Sequence, residues 1–166
     1  PFGRVPVPIR DLTRLTKVAL TGIFPEEIPE WLFRIPGLSS IDLTLNNLNC
    51  VPDSVREASG LKEFRLAYNR FNKIPPGVWE LALIEFLDIS GCPLTEIPPD
   101  ILRLERLQNL AISSAGNFRL EIVSPPPEIV SRGLDAIRRY WLQERDVGVD
   151  YLAEAKLLIV GESGAG

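Results

Sequence analysis

The chain has 166 residues, 45% of them apolar and 24% charged, and a formal net charge of −4. That length supports one good core or a short repeat array, and the acidic balance supplies no basic field for nucleic acid or an anionic membrane surface. The chain contains no His, which excludes histidine triads and histidine-ligated metals, and no apolar run approaches the ~18 residues of a membrane span.

The opening stretch, PFGRVPVPIR, lacks the charged-then-apolar pattern of a leader. The sequence also contains no Met, so the natural start is expected to precede Pro1. From here a period dominates. Pro6, Pro29, Pro52, Pro75 and Pro98 recur every 23 residues, each preceded by Val5, Ile28, Val51, Ile74 or Ile97. Aligned on this period, Leu15, Leu38, Leu61, Ile84 and Leu107 form one apolar column. Val18, Ile41, Phe64, Leu87 and Leu110 form a second, and Leu20, Leu43, Leu66, Ile89 and Ile112 a third. Such internal repetition is the mark of stacked architectures.

The middle repeats read LSSIDLTLNNLNCVP and LKEFRLAYNRFNKIP. Both match L-x-x-L-x-L-x-x-N-x-L and resemble a leucine-rich repeat of the short type. Four full repeats are expected at 15–37, 38–60, 61–83 and 84–106, after residues 5–14 as the rear of an earlier one. The fold class implied is α/β: a curved leucine-rich-repeat solenoid with parallel strands on its concave face and a C-terminal capping helix. Alternating apolar residues such as Ile41 and Leu43 turn one strand face inward. The proline step should start a short helical turn that returns Val55 and Ala58 to the same core. No repeat buries its apolar face alone, so neighbours must stack.

Asn46 and Asn69 are polar in an inward column. Their amides are expected to pair with turn backbone that would otherwise be buried without partners. Ile23 and Cys92 replace Asn in this column. Cys50 and Cys92 lie about two repeats apart, or roughly 10 Å at the spacing of parallel strands, beyond the ~7 Å between Cα atoms that a disulfide spans. Two free thiols and a reducing compartment are expected.

The outward strand positions are the natural binding positions of such a solenoid. They are Lys17, Ser40, Glu63, Phe86 and Asn109; then Ala19, Asp42, Arg65, Asp88 and Ala111; then Gly22, Leu45, Tyr68, Gly91 and Ser114. Leu45, Tyr68 and Phe86 would face water between Asp42, Arg65 and Asp88, the mixture of aromatic anchor and polar rim found at interface hot spots. These six are the candidate partner-binding residues. The competing expectation is structural, with Arg65 bridging Asp42 and Asp88 across strands. No catalytic residue and no metal ligand is expected in the array.

The fifth repeat loses its period at SSAGNFRLEIVSPPPEIV, closing a repeat region at 1–124. A helix is expected to start at Pro127, where a missing N–H costs nothing. Val130, Leu134, Ile137 and Trp141 would form its apolar stripe. Over 125–146 this helix should cap the last repeat. Residues 147–166 read as a linker, RDVGVDYLAEA in part, then a β-type run and a glycine turn, AKLLIVGESGAG.

Gly161 and Gly166 have the spacing of a phosphate-binding loop after a strand, with Glu162, Ser163, Gly164 and Ala165 between them. The order of repeats, the SPPPEIVSRGLDAIRRYW segment and this loop resembles the Roco family, whose members join repeats to a Ras-like Roc GTPase and a COR dimerisation domain. The resemblance implies that Gly161 to Gly166 form the backbone cradle for GTP or GDP with Mg²⁺ in a parent protein. It further implies an adjoining GTPase domain, a homodimeric parent with or without a kinase domain, and a cytoplasmic location. The Lys and Ser/Thr of the loop have no counterpart here, so this chain alone is expected neither to bind nor to hydrolyse GTP. The alternative is a stand-alone repeat scaffold or effector with no nucleotide chemistry.

Overall fold

Short apolar stretches that alternate inward and outward residues, each followed by a proline step, cannot extend into long strands or long helices. The computed structural model shows what they form instead; it describes residues 14–23, 28–113 and 122–146. Five three-residue strands lie in chain order in one parallel sheet: β1 (Lys17–Ala19), β2 (Ser40–Asp42), β3 (Glu63–Arg65), β4 (Phe86–Asp88) and β5 (Asn109–Ala111). Val18, Ile41, Phe64, Leu87 and Leu110 stand in one register line across the sheet, so every strand is offset from the next by one full repeat. The 23-residue period of the sequence is therefore the register of the sheet.

On the opposite side, four five-residue 3₁₀ helices occupy Glu30–Arg34, Asp53–Glu57, Pro76–Glu80 and Pro99–Arg103. Proline initiates each. The carbonyls of Pro29, Pro52, Pro75 and Pro98 accept the first turn bonds from Leu32, Val55, Val78 and Ile101 at 3.0–3.2 Å. A proline fixes its own φ and needs no donor at that point. The turns return Val55 and Ala58 to the core as expected, at 1% and 5% exposure. Helices need more room than strands spaced ~4.8 Å apart, so stacking curves the solenoid with its sheet on the inner side. Consecutive helices approach closely at Gly77, where a Cβ would meet Val55 Cγ1 at 2.6 Å.

The core is one continuous column between sheet and helices. Ile41, Phe64, Leu87, Leu61, Ile84, Val78 and Ile101 are fully buried. Phe33 of the first full repeat and Phe64 of the third meet edge to face, with centroids 6.4 Å apart. On the outside the same period places Arg34 on Glu57 at 2.6 Å, Lys62 on Glu85 at 3.1 Å and Lys73 on Glu96 at 2.9 Å. These exposed rungs add little energy. Burial of apolar area does most of the stacking.

Buried polar groups are handled by the asparagine column. Asn69 Nδ2 donates to Leu43 O at 2.9 Å and Leu66 O at 2.8 Å, while its Oδ1 accepts from the backbone N–H of Asn46 and Leu48. Asn46 repeats the pattern one repeat earlier, donating to Leu20 O and Leu43 O and accepting from Ile23 N–H. Cys92 takes the same place in the next repeat, its Sγ donating to Leu66 O at 3.3 Å. Burial pushes the Cys92 thiol above its ordinary pKa, which keeps it protonated as a donor. Cys50 is exposed and both thiols are free, as the strand spacing requires.

After the array the chain folds back on the last repeat. Val123 N–H donates to Thr95 O at 2.9 Å and Ile97 N–H to Ser124 O at 2.8 Å. The single helix expected from Pro127 is instead two: α1 (Pro127–Val130) and α2, residues 134–146. The break falls at Gly133, whose φ of 85° is left-handed and incompatible with a continuous right-handed helix. The stripe still faces inward, with Val130 and Ile137 buried and Leu134 and Trp141 packed on the core. Arg138 Nη2 donates to Leu104 O at 2.6 Å and Leu107 O at 3.0 Å, and Trp141 Nε1 to Ile97 O at 3.0 Å. α2 thus closes both the apolar end of the solenoid and several of its last carbonyls. Among the described residues no helix is long and apolar enough to cross a membrane.

Candidate protein-binding face

The sheet face opposite the core carries the six residues expected to meet a partner, and the register fixes their neighbours. Asp42, Arg65 and Asp88 lie side by side on β2, β3 and β4, and Ser40, Glu63 and Phe86 form the adjoining row. Ser40 departs from expectation. It is buried, and its Oγ donates to Glu63 Oε2 at 3.2 Å.

Arg65 does not bridge the two aspartates. Its Nη1 pairs with Glu63 Oε2 on its own strand at 3.2 Å, and its guanidinium lies 4.9 Å from the centre of the Phe86 ring. The reason is direction. Glu63 and Arg65 are two apart on one strand and so share its outward face, and the row beside them offers an aromatic surface on which a guanidinium stacks. Asp42 and Asp88 serve the turns. Asp42 Oδ1 accepts from Thr44 N–H at 2.9 Å and Asp88 Oδ1 from Ser90 N–H at 3.0 Å, the local side-chain turn that this residue type favours.

Leu45 and Tyr68 are the most informative pair. They are large apolar side chains left 49% and 46% exposed. Both have left-handed backbone, with φ of 61° and 56°. The repeats on either side hold Gly22 and Gly91 in the same column, at φ of 67° and 68°. The conformation recurs with the stack. Each residue of the column donates its N–H across to the next repeat: Gly22 to Thr44 O, Leu45 to Ala67 O, Tyr68 to Ser90 O and Gly91 to Ser113 O. Glycine meets the demand cheaply, whereas a residue with a Cβ is strained there by roughly 1–2 kcal/mol. The two central repeats thus hold exposed apolar groups at positions where the fold alone favours glycine. The result is a two-residue apolar ridge with bare steps at both ends, beside Arg65, Phe86 and the two aspartates.

Sequence reasoning placed Leu45 and Tyr68 on this face but missed the strain, although glycines in their column signalled it. Glu63, which neutralises Arg65, was placed among the outward positions but not among the six candidates. The residues expected to form a phosphate loop, Gly161, Glu162, Ser163, Gly164, Ala165 and Gly166, lie outside the described residues, as does Ser114.

Similarity to known proteins agrees with this geometry. The family model described as Leucine Rich Repeat matches residues 83–104. No curated protein matches the chain. Among solved structures, a leucine-rich-repeat protein of Leptospira interrogans is similar at 20% identity, with a TM-score of 0.60 over 78% of this chain and 38% of that one. The plant peptide hormone receptor RGFR1, solved in complex with RGF2, is similar at 25% identity and a TM-score of 0.51, over 67% of this chain and 23% of that one. The ectodomain of the receptor kinase GASSHO1/SCHENGEN3 from Arabidopsis thaliana, in complex with Casparian strip integrity factor 2, gives 21% identity and a TM-score of 0.51, over 67% and 17%. The chain thus spans well under half the length of the proteins it resembles, 38% in the first case. At these identities the likeness is one of fold. The in-register parallel sheet, the 3₁₀ turns behind it and the matching family model identify the fold as a leucine-rich-repeat solenoid.

Proposed function

We propose that this solenoid is a protein-recognition module, engaging its partner through the sheet face centred on Leu45, Tyr68 and Phe86 with Asp42, Arg65 and Asp88 around them. One observation carries this reading: exposed Leu45 and Tyr68 occupy left-handed positions that their neighbours fill with glycine. The two plant receptors of similar fold were solved in complex with RGF2 and Casparian strip integrity factor 2, which supports a ligand-seating role for such repeats.

The reading is tested with Leu45→Gly/Tyr68→Gly. Relief of left-handed strain, less the ~0.5–1 kcal/mol of extra chain entropy that glycine loses on folding, leaves stability unchanged or raised by up to about 1.5 kcal/mol per site. Affinity for peptides selected on the wild-type chain from a displayed random twelve-residue library is expected to fall about tenfold or more. Thermal melts and fluorescence anisotropy on the same samples measure both. A lower Tm with unchanged affinity would show the pair to be structural and overturn the proposal.

The parent protein we infer to be a cytoplasmic, homodimeric, Roco-type GTP-binding signalling protein. The support is the order of repeats, SPPPEIVSRGLDAIRRYW and AKLLIVGESGAG, with Gly161 and Gly166 at phosphate-loop spacing. In that parent, Gly161 to Gly166 would cradle GTP or GDP with Mg²⁺, and the repeats would regulate an adjoining GTPase domain. The coding sequence beyond Gly166 tests it. Lys followed by Ser or Thr is expected, and a chain extended through the Roc domain should bind GTP in calorimetry while residues 1–166 alone do not. A stop or an unrelated polar sequence would leave a stand-alone scaffold or effector.

A further inference from the structure

The chemistry of the partner follows from which charges on the face are already satisfied. This rests on the face being a recognition surface. Arg65 is neutralised by Glu63 at 3.2 Å and its guanidinium is covered on one side by Phe86. Asp42 and Asp88 are different. Among the described residues neither enters an ion pair, and each engages only Oδ1, with the turn N–H two residues on. That bond fixes each carboxylate at the end of its strand and leaves its second oxygen open to a ligand.

The two carboxylates stand in register on β2 and β4 with Arg65 between them, which puts them roughly 10 Å apart at the spacing of parallel strands. The apolar ridge of Leu45 and Tyr68 lies just past them along the same turns. A ligand matching this layout has two cations about 10 Å apart and an apolar group beside the line joining them. In a polyproline-type segment of three residues per turn and ~3.1 Å rise, side chains at i and i+3 meet that spacing on one side. In an α-helix, i and i+7 do so at ~1.5 Å per residue. Cations on the ligand would be drawn to the uncompensated aspartates, whereas acidic groups would meet them as like charges.

We propose that the face recognises a basic–apolar polypeptide segment, with two Lys or Arg side chains on Asp42 and Asp88 and an apolar side chain on the Leu45–Tyr68 ridge. The probe is the displayed random twelve-residue library, selected on residues 1–166. Lys or Arg pairs at i,i+3 or i,i+7, with Leu or an aromatic nearby, are expected among the enriched peptides, and their binding should weaken as salt rises. Asp42→Asn/Asp88→Asn keeps both Oδ1 acceptors and hence both turns, so Tm should hold while affinity for those peptides falls about tenfold. Enrichment of acidic or uncharged peptides overturns the proposal. Should binding survive Asp42→Asn/Asp88→Asn yet vanish in Leu45→Gly/Tyr68→Gly, the charge assignment fails and the recognition face stands. Binding indifferent to both pairs, or no enrichment at all, removes both.

Discussion

Replacing Asn69 with alanine should cost about 3–5 kcal/mol of folding stability, more than any surface change in this chain. The side chain is the acceptor for two buried N–H groups, those of Asn46 and Leu48, and also donates to the carbonyls of Leu43 and Leu66, which keep second donors in Asn46 Nδ2 and Cys92 Sγ. Leaving a buried donor unpaired costs roughly 1–3 kcal/mol, so the two orphaned N–H groups and the weakened carbonyl pairing account for the total. Alanine carries no group that can replace any of these bonds. Asn69→Cys should cost less, because Cys92 already shows a thiol donating from this column to Leu66 O. Urea unfolding followed by circular dichroism measures the order. If Asn69→Ala unfolds at the wild-type midpoint, the amide column is ornamental and the account of the turns is wrong.

Phe64→Ala should be of similar size for a different reason. Phe64 is fully buried, and it meets the Phe33 ring from two repeats earlier. Deleting a buried aromatic ring typically costs about 3–5 kcal/mol through lost burial and the cavity left behind. In a stacked array the damage also has a place. Stability is roughly the sum of each repeat and its interfaces with its neighbours, so a cavity in the middle uncouples the two halves. Trp31, Trp79 and Trp141 lie in the first helical turn, the middle and the cap. Their fluorescence should then unfold over a wider urea range than in the wild type. A single sharp transition at the wild-type midpoint would contradict this.

Most of the scaffold could be read from the sequence because its signals are local and repeated. Each proline step sets the start of a helical turn, and each L-x-x-L-x-L run sets which residues face inward. Repetition at one period then fixes the register, since a slip would turn Ile41, Phe64 and Leu87 out of the core together. The asparagine column and the two free thiols followed from the same period. The residues of the candidate face were legible as positions, because outward residues alternate with inward ones.

What those outward residues do with one another was decided by three-dimensional packing. Arg65 could be set beside Asp42 and Asp88 by register, but only side-chain direction and the Phe86 ring made Glu63 its partner. Ser40 belonged to the outward row until Glu63 covered it. The cap helix was foreseen from its stripe, but its break required the left-handed Gly133. Leu45 and Tyr68 looked merely apolar and exposed. Their backbone is left-handed where each hands its N–H to the next repeat, a bond that exists only once the repeats are stacked. Periodicity in the chain therefore determined the solenoid and its inward face, because burial averages over many residues and tolerates local detail. The ion pairing, the strain and the break in the cap each depend on a few atoms from separate repeats, so tertiary contact alone could decide them.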